Sequence, residues 1–374
     1  MIIKNANAVT GDFRLHKADL QFSGGTITAI GNLCGDTEYD ATGMYLIPGF
    51  VDTHIHGAAG SEFAAESGDF DAARKYEAEH GVTAILPTVR CLPREKLIAA
   101  EKNILNQMRS GGKGSKLLGI NLESPFVNPV RRGGMVPENI ASPDMRFAKD
   151  ILDAAEGNLK IITVAPEMPG ALEVIKFLSA NGVKVSMGHS DATYDQAQKG
   201  AENGATRATH LFNAMAPYHH REPGLIGFSL LDKRVTCEVI CDLVHLSEQT
   251  IKLIYKMKGA DRISIVSDTG VFAGMPDGDY YILGRHRIVK NGECHLEDGT
   301  IAGSCMPVYY GVRNLLKAGI PMPDVCKMAS YTPAKAVGAA DRIGSLEPGK
   351  AADMVLLDRE YNIRAVFIDG ERMA

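Results

Sequence analysis

The pattern of hydrophobic and polar positions changes near residue 45. Before that point, short apolar segments at 2–3, 18–22 and 26–30 are broken by glycine-containing turns, a pattern typical of a small β-sheet. From Pro48 onward, apolar strand-like segments alternate with helical segments. Such alternation is typical of a parallel α/β sheet, so the sequence predicts two differently built regions.

Eight apolar segments are predicted to be the strands of the second region. The first ends at His54, and the others cover 82–88, 117–123, 160–165, 183–189, 205–210, 235–241 and 262–268. Helices are predicted at 69–80, 93–109, 144–155 and 171–180, from 193, from 247 with Ser247 as the cap, and at 307–318 and 322–329. Eight such units in about 290 residues match the size of a closed (β/α)8 TIM barrel.

The two ends of the chain are predicted to form one small domain. Two strand-like segments near the C-terminus follow a Pro-Gly turn, and we expect them to pair with the N-terminal sheet. A hairpin-like insertion is predicted at 280–300, with turns at Asn291-Gly292 and Asp298-Gly299. The predicted boundaries are 1–47 plus 340–374 for a small β-sandwich domain and 48–339 for the barrel.

Composition narrows the classes of function. The chain has 374 residues, 45% of them hydrophobic and 23% charged, and a formal net charge of -5. So small a charge does not favour a nucleic-acid or anionic-membrane partner. The sequence shows neither the apolar segment of a signal peptide nor a membrane-spanning run. Seven cysteines without a Cys-x-x-Cys pair indicate buried thiols in a reducing compartment, so we expect a cytoplasmic protein.

Histidines and carboxylates follow the predicted strands. In a (β/α)8 barrel the chemistry takes place at the C-terminal ends of the strands, so residues at those positions are candidates for the active site. They are His54, His56, Glu123, His189, His210, Asp242, His245 and Asp268.

The segment His54-Ile55-His56 predicts a metal site. In an extended chain, side chains two residues apart point the same way, so both imidazoles can reach one ion. Imidazole is a common ligand for zinc and also suits iron and nickel. A chance His-x-His pair is the alternative. A metal with an open position activates water and polarises a carbonyl, which suits amide hydrolysis, and Asp268 is the candidate for moving the proton.

Several motifs resemble known families. Residues 48–57 and 348–355 are similar to the amidohydrolase superfamily. Within it, four further blocks resemble N-acetylglucosamine-6-phosphate deacetylases, and the resemblance extends in order over nearly the whole chain. These blocks are Leu122-Glu123-Ser124-Pro125-Phe126, Gly188-His189-Ser190-Asp191-Ala192-Thr193-Tyr194, Thr209-His210-Leu211-Phe212-Asn213-Ala214-Met215 and Arg221-Glu222-Pro223-Gly224.

This resemblance implies a role for each candidate. Glu123, His189 and His210 would hold the principal metal, and His54 and His56 a second one bridged by Glu123. Some family members lack the histidine pair that corresponds to His54 and His56 and use a single ion. Zinc is the expected metal, with iron or another transition metal as the alternative. Asp268 would be the catalytic acid/base. The substrate would be held by Asn213, the backbone of Ala214, Arg221 and His245, with the arginine on the sugar phosphate.

The chain departs from the family pattern at three positions. Ser124 and Leu243 stand where the family usually has glycine, and Met135 stands where it usually has a histidine that polarises the acetyl carbonyl. Methionine cannot donate a hydrogen bond, and loss of one such donor costs about 3 kcal/mol of transition-state stabilisation. Either the adjacent His219 and His220 compensate, or the substrate differs.

The resulting functional prediction is a metal-dependent hydrolase that removes the acetyl group from N-acetylglucosamine 6-phosphate, giving glucosamine 6-phosphate and acetate. The enzymatic alternative is another N-acyl amino sugar, such as N-acetylgalactosamine 6-phosphate, or a cyclic amide. The non-enzymatic alternative is a catalytically silent sugar-phosphate binder. The resemblance also implies a homodimer.

Overall fold

Eight parallel strands form a nearly closed barrel at the centre of the computed structural model, which describes residues 1–35, 39–282 and 285–374. Each strand pairs with the next in chain order, from the first to the eighth. The barrel strands one to eight are Phe50–Ile55, Val82–Val89, Ile120–Leu122, Leu159–Val164, Lys184–Met187, Arg207–Ala208, Thr236–Ile240 and Ile263–Val266. The predicted TIM barrel is confirmed.

Strand eight returns to strand one through a few hydrogen bonds. The backbone NH of Asp268 donates to the carbonyl of His54 at 2.9 Å, and that of His56 donates to the carbonyl of Thr269 at 2.7 Å. The buried carboxylate of Asp52 accepts from the hydroxyl of Ser267. These contacts join the first and last strands at the end of the barrel where the candidate residues lie.

Helices surround the barrel, and most were predicted. They cover Asp71–Glu79, Arg94–Ser110, Met145–Ala155, Ala171–Ala180, Tyr194–Glu202, Gly224–Leu231, Glu248–Lys258, Val308–Lys317, Met322–Cys326 and Thr332–Ala336, with a π-helical turn at Lys327–Tyr331 and 3-10 turns at Pro129–Arg131, Pro137–Asn139 and Ala260–Arg262. The predicted Ser247 cap is confirmed, because its hydroxyl accepts from the backbone NH of Thr250 at 3.2 Å.

Two helices of the described residues were missed, the short Thr332–Ala336 and the longer Gly224–Leu231. Gly224–Leu231 is buried along all but its last residue and carries apolar side chains on every face. A helix of this kind has no polar stripe, so its sequence lacks the periodicity by which amphipathic helices are recognised.

Strands from both chain ends form one eight-stranded sheet, as predicted. The sheet curls until its two ends face each other, since the rings of Phe22 and Phe367, near opposite edges, lie 5.7 Å apart. Its strands are Ile2–Val9, Leu15–Ser23, Thr26–Gly31, Tyr39–Asp40, Tyr45–Pro48, Met354–Leu357, Ile363–Ile368 and Glu371–Arg372. The exact domain boundaries at 47 and 340 stay a prediction.

Gly49 joins this sheet to the barrel. It separates Tyr45–Pro48, a strand of the terminal sheet, from barrel strand one. A Cβ atom at Gly49 would lie 2.3 Å from the side chain of Thr83 on strand two. Glycine therefore lets the chain pass close to strand two as it enters the barrel.

The predicted insertion forms a four-stranded antiparallel sheet beside the barrel mouth. Its strands are Gly278–Ile282, Arg285–Lys290, Glu293–His295 and Ile301–Ser304, with turns at Asn291-Gly292 and Asp298-Gly299 as expected. The backbone NH of Ser304 donates to the carbonyl of Asp268 at 2.9 Å, which fixes the sheet to the end of strand eight. Within the described ranges, no helix has the length and apolarity needed to cross a bilayer.

Candidate active site

Three candidate residues from different strands meet at one point. Oε1 of Glu123 lies 3.0 Å from Nε2 of His189 and 3.1 Å from Nε2 of His210, and the two nitrogens are 3.1 Å apart. All three residues are buried. Two imidazole nitrogens and a carboxylate oxygen thus converge in the spacing of a metal ligand set.

A second group shares Glu123 with the first. Nε2 of His56 lies 3.3 Å from Oε2 of Glu123 and 3.2 Å from Oδ1 of Asp268. Nε2 of His54 lies 3.6 Å from Oε1 of Glu123 and 3.5 Å from Oδ1 of Asp268. The structure therefore brings together all six residues predicted for the metal ligands and the acid/base group, in two adjoining sets.

The backbone at the strand ends is strained. His189, His210 and Asp268 have φ values of 45°, 26° and 54°, in the left-handed region that costs a non-glycine residue of order 1–3 kcal/mol. Gly188 precedes His189, and a Cβ atom there would lie 2.6 Å from Cβ of Thr209. The packing of strands five and six thus sets the direction in which both histidines leave the barrel.

Three of the histidines are held by their second ring nitrogen. Nδ1 of His54 lies 3.0 Å from a carboxylate oxygen of Glu238, Nδ1 of His56 lies 3.2 Å from the carbonyl of Thr88, and Nδ1 of His189 lies 2.8 Å from the carbonyl of Arg131. An acceptor at Nδ1 leaves Nε2 unprotonated, as in metal-ligating histidines. In each case Nε2 is then directed at the cluster, by which we mean the six residues His54, His56, Glu123, His189, His210 and Asp268.

The cluster fits a divalent metal ion. Nε2 of His54 is buried and has no hydrogen-bond partner among the described residues, although it faces two carboxylates. Burial lowers the pKa of His56, but hydrogen bonds to Asp268 and Glu123 outweigh it and raise that pKa to about 9. The two carboxylates therefore favour positive charge between the histidines, whether a proton or a cation supplies it.

Five of the six residues, all but the fully buried His54, line a cavity of about 400 Å³. The predicted substrate residues Asn213, Ala214 and His245 line it. Met135 also lines it and is 7% exposed. The side chain in the family's histidine position therefore faces the cavity, and its thioether offers no hydrogen-bond donor.

Arg221 lies outside this wall. It is exposed, and its guanidinium lies 2.8 Å from Nε2 of His220. His219 and His220 are also exposed, with their rings 4.3 Å apart, and they do not line the cavity. Of the predicted substrate residues, Arg221 alone is not brought to the cavity of its own chain.

His245 is fixed by Asp242. Nδ1 of His245 lies 2.7 Å from a carboxylate oxygen of Asp242, whose other oxygen accepts from the backbone NH of His245 at 2.9 Å. Between them, Leu243 has a φ of 67°, a conformation that favours glycine. The turn that aims His245 at the cavity thus keeps a glycine-type backbone although leucine occupies the position.

Other charged residues around the cavity were missed from the sequence. Glu62 and Arg90 form an ion pair in its wall, and Arg287 of the insertion also lines it. Arg90 directly follows strand two, so the strand-end rule could have found it. Glu238 and Arg207 do not line the cavity but are buried behind it, and a charged residue inside a predicted barrel strand is an unusual signal. No sequence feature indicated Arg287.

Comparison with known proteins identifies the family. The amidohydrolase family pattern matches residues 45–373. The chain is 32% identical to the N-acetylglucosamine-6-phosphate deacetylase of Lysinibacillus sphaericus over 363 residues, covering 96% of this chain and 94% of that protein. It is 33% identical to the N-acetylgalactosamine-6-phosphate deacetylase of Escherichia coli O157:H7 over 373 residues, covering 99% and 98%.

A solved structure is similarly close. A mutant N-acetyl-D-glucosamine-6-phosphate deacetylase from Mycobacterium smegmatis, in complex with N-acetyl-D-glucosamine 6-phosphate, has a TM-score of 0.94 at 32% identity, covering 100% of this chain and 99% of that chain. The family pattern, the relatives and the fold all agree with the motifs around the metal-ligand candidates. The chain belongs to the amidohydrolase family.

Proposed function

We propose that the protein is a metal-dependent deacetylase that hydrolyses N-acetylglucosamine 6-phosphate to glucosamine 6-phosphate and acetate. The observation that carries this proposal is the convergence of four histidines, Glu123 and Asp268, of which all but His54 line one cavity. The similarity to amino-sugar phosphate deacetylases over nearly the full chain supports the choice of substrate.

In this proposal Glu123, His189 and His210 would hold one divalent ion, and His54 and His56, with Glu123 shared between the two groups, would hold a second. Zinc is our choice, because imidazole and carboxylate groups form its usual catalytic ligand sets, with iron or another transition metal as the alternative. A divalent ion bound there supplies Lewis acidity, which activates water and polarises the acetamide carbonyl.

Asp268 is the proposed proton carrier. Burial raises its pKa, but the hydrogen bond to His56 and the charge of His54 outweigh burial and lower it, so the carboxylate is ionised at neutral pH. It can then accept the proton of the attacking water as the new C–O bond forms. The same carboxyl group donates that proton to the amine nitrogen as the C–N bond breaks.

The sugar phosphate is bound by residues of the cavity wall. We assign Asn213 and the backbone of Ala214 to the phosphate end and His245 to the sugar, since all three line the cavity. We also assign Arg221 to the phosphate. Its position outside the wall means that either its side chain moves inward or it serves the cavity of a second subunit.

We further propose a cytoplasmic homodimer. Exposed apolar side chains support a subunit interface, including Leu253 and Met257, which lie one turn apart on helix Glu248–Lys258 and are 49% and 47% exposed. The seven cysteines, all free, suit a reducing compartment. Analytical ultracentrifugation tests the dimer.

The function is tested by acetate release. The purified protein, loaded with zinc or iron and checked by metal analysis, is assayed with N-acetylglucosamine 6-phosphate, N-acetylgalactosamine 6-phosphate and a cyclic amide. We expect the highest kcat/KM for the first. If the fully metal-loaded protein hydrolyses none of these substrates, the proposed hydrolase function is rejected. If it clearly prefers N-acetylgalactosamine 6-phosphate or the cyclic amide, that compound replaces N-acetylglucosamine 6-phosphate as the proposed substrate.

A further inference from the structure

A buried ion pair lies behind the metal-ligand candidates. Glu238, on strand seven, and Arg207, on strand six, are 0% and 2% exposed, and their charged groups lie 3.0 Å apart. The other oxygen of Glu238 lies 3.0 Å from Nδ1 of His54 on strand one. Nη2 of Arg207 also reaches the hydroxyl of Thr53 at 3.4 Å. The pair therefore connects strands six and seven to strand one across the barrel.

One oxygen of Glu238 contacts both halves of the cluster. The oxygen that faces His54 also lies 3.4 Å from the backbone NH of His210. His54 belongs to the His-x-His group, and His210 belongs to the group of Glu123 and His189. A single carboxylate thus accepts hydrogen bonds from one residue of each group.

The ion pair is expensive to bury, which indicates that it serves the site. Nε and Nη1 of Arg207 have no hydrogen-bond partner among the described residues. Replacing a buried ion pair by apolar residues is often neutral or stabilising. Arg207 therefore places a positive charge against Glu238 on the side away from His54.

We propose that Glu238, balanced by Arg207, is a positioning residue that builds the His54 side of the metal centre and so gives this chain a second ion. This inference rests on the proposed metal-dependent function. A carboxylate acceptor at Nδ1 fixes the His54 tautomer, directs Nε2 at Glu123 and Asp268, and makes Nε2 a stronger ligand. Glu238 itself does not contact the ion.

The effect is specific to one side of the centre. Nδ1 of His56 and of His189 face backbone carbonyls, which no side-chain substitution removes. Among the four histidines of the two groups, and within the described residues, only His54 has a carboxylate at Nδ1. Loss of the Glu238 charge should therefore weaken metal binding at the site of His54 and His56. Binding at the site built by Glu123, His189 and His210 should change much less.

The test is Glu238→Gln with metal binding as the readout. Ions per subunit and both dissociation constants are measured by metal analysis and by titration against a chelator of known affinity. We expect two zinc ions in the unmodified protein and a 10–100-fold weaker second site in the variant, the range typical of such outer contacts, with the first site unchanged. A single ion in the unmodified protein, or two wild-type affinities in Glu238→Gln, would overturn the proposal.

A matched control and a double variant separate positioning from folding. Glu101 is also fully buried, on helix Arg94–Ser110, and Glu101→Gln should retain both ions. Because Glu238→Gln leaves Arg207 unpaired, Glu238→Gln with Arg207→Met removes both buried charges. We expect this double variant to fold and to keep the weakened second site. Recovery of that site in the double variant would show that only the unpaired arginine mattered, contrary to the proposal.

These measurements do not depend on turnover. Two bound ions with the expected asymmetry but no acetate release would reject the proposed function and leave the role of Glu238 intact. Acetate release by a protein that binds only one ion would support the proposed function and reject the role of Glu238.

Discussion

Oδ1 of Asp268 lies 3.2 Å from Nε2 of His56, where the last barrel strand returns to the first. The backbone NH of Asp268 donates to the carbonyl of His54 at 2.9 Å, so the contact that closes the barrel also places the proposed acid/base beside the His-x-His pair. Closure of the fold and assembly of this part of the site therefore depend on the same few hydrogen bonds.

Replacement of Asp268 by asparagine should strongly reduce turnover while substrate and metal binding are retained. The amide has nearly the same shape but cannot carry the proton, so we expect kcat to fall by about 10²–10⁴-fold. Affinity for the sugar phosphate, measured by calorimetry, and metal content should stay close to those of the unmodified protein. The exposed Asp261, which pairs with Lys327, gives the control Asp261→Asn. Wild-type turnover in Asp268→Asn would exclude the assigned role.

Met135→His should restore a donor to the cavity wall. Met135 lines the cavity and is nearly buried, so a histidine there can reach a substrate carbonyl. Such a donor is worth about 10²–10³-fold in rate when well placed, and we expect kcat/KM for the N-acetyl substrate to rise by part of that factor. Met135→Leu, which has similar volume and no donor, should change little. A gain in the leucine variant, or none in the histidine variant, would argue against a missing donor.

Leu243→Gly should relieve strain in the turn before His245. Leu243 has a φ of 67° and is 45% exposed. Glycine and alanine both remove the exposed side chain, but only glycine removes the Cβ atom that disfavours this conformation. We therefore expect Leu243→Gly to have a free energy of unfolding about 1 kcal/mol higher than Leu243→Ala, as measured by urea denaturation. Equal stability of the two variants would show that the turn carries no strain.

The Asp242–His245 pair predicts a pH-dependent contribution to stability. Burial raises the pKa of Asp242 and lowers that of His245, but their mutual hydrogen bond outweighs burial, so the pKa of Asp242 lies below 3.8 and that of His245 above 6.5. The histidine contribution is full below pH 6.5 and is lost as pH rises through its folded pKa. The aspartate contribution is full above pH 3.8 and is lost as pH falls through its folded pKa.

The corresponding measurement compares the unmodified protein with Asp242→Asn. The difference in free energy of unfolding should be largest between pH 3.8 and 6.5 and should shrink as the solution becomes more alkaline. A difference that stays constant, or grows with pH, would contradict the pairing. Metal content is held equal in both proteins, because bound ions stabilise the native state by themselves.

Much of the barrel was predictable from the chain alone. All eight strands were found because apolar segments alternate with helical ones, a local pattern that tertiary contacts reinforce. The errors lie where that pattern fails. Strand six shrinks from the predicted 205–210 to Arg207–Ala208, and the all-apolar helix Gly224–Leu231 has no polar face to reveal it.

The sequence by itself determined that His54, His56, Glu123, His189, His210 and Asp268 would meet, because parallel strands bring their C-terminal ends to one edge of the barrel. Only the tertiary structure decided what surrounds them. Glu238 reaches His54 although the two residues are 184 positions apart in the sequence, and Arg221 lies outside the cavity wall. Such contacts depend on side-chain direction and loop packing across the barrel, which no local pattern of residues encodes.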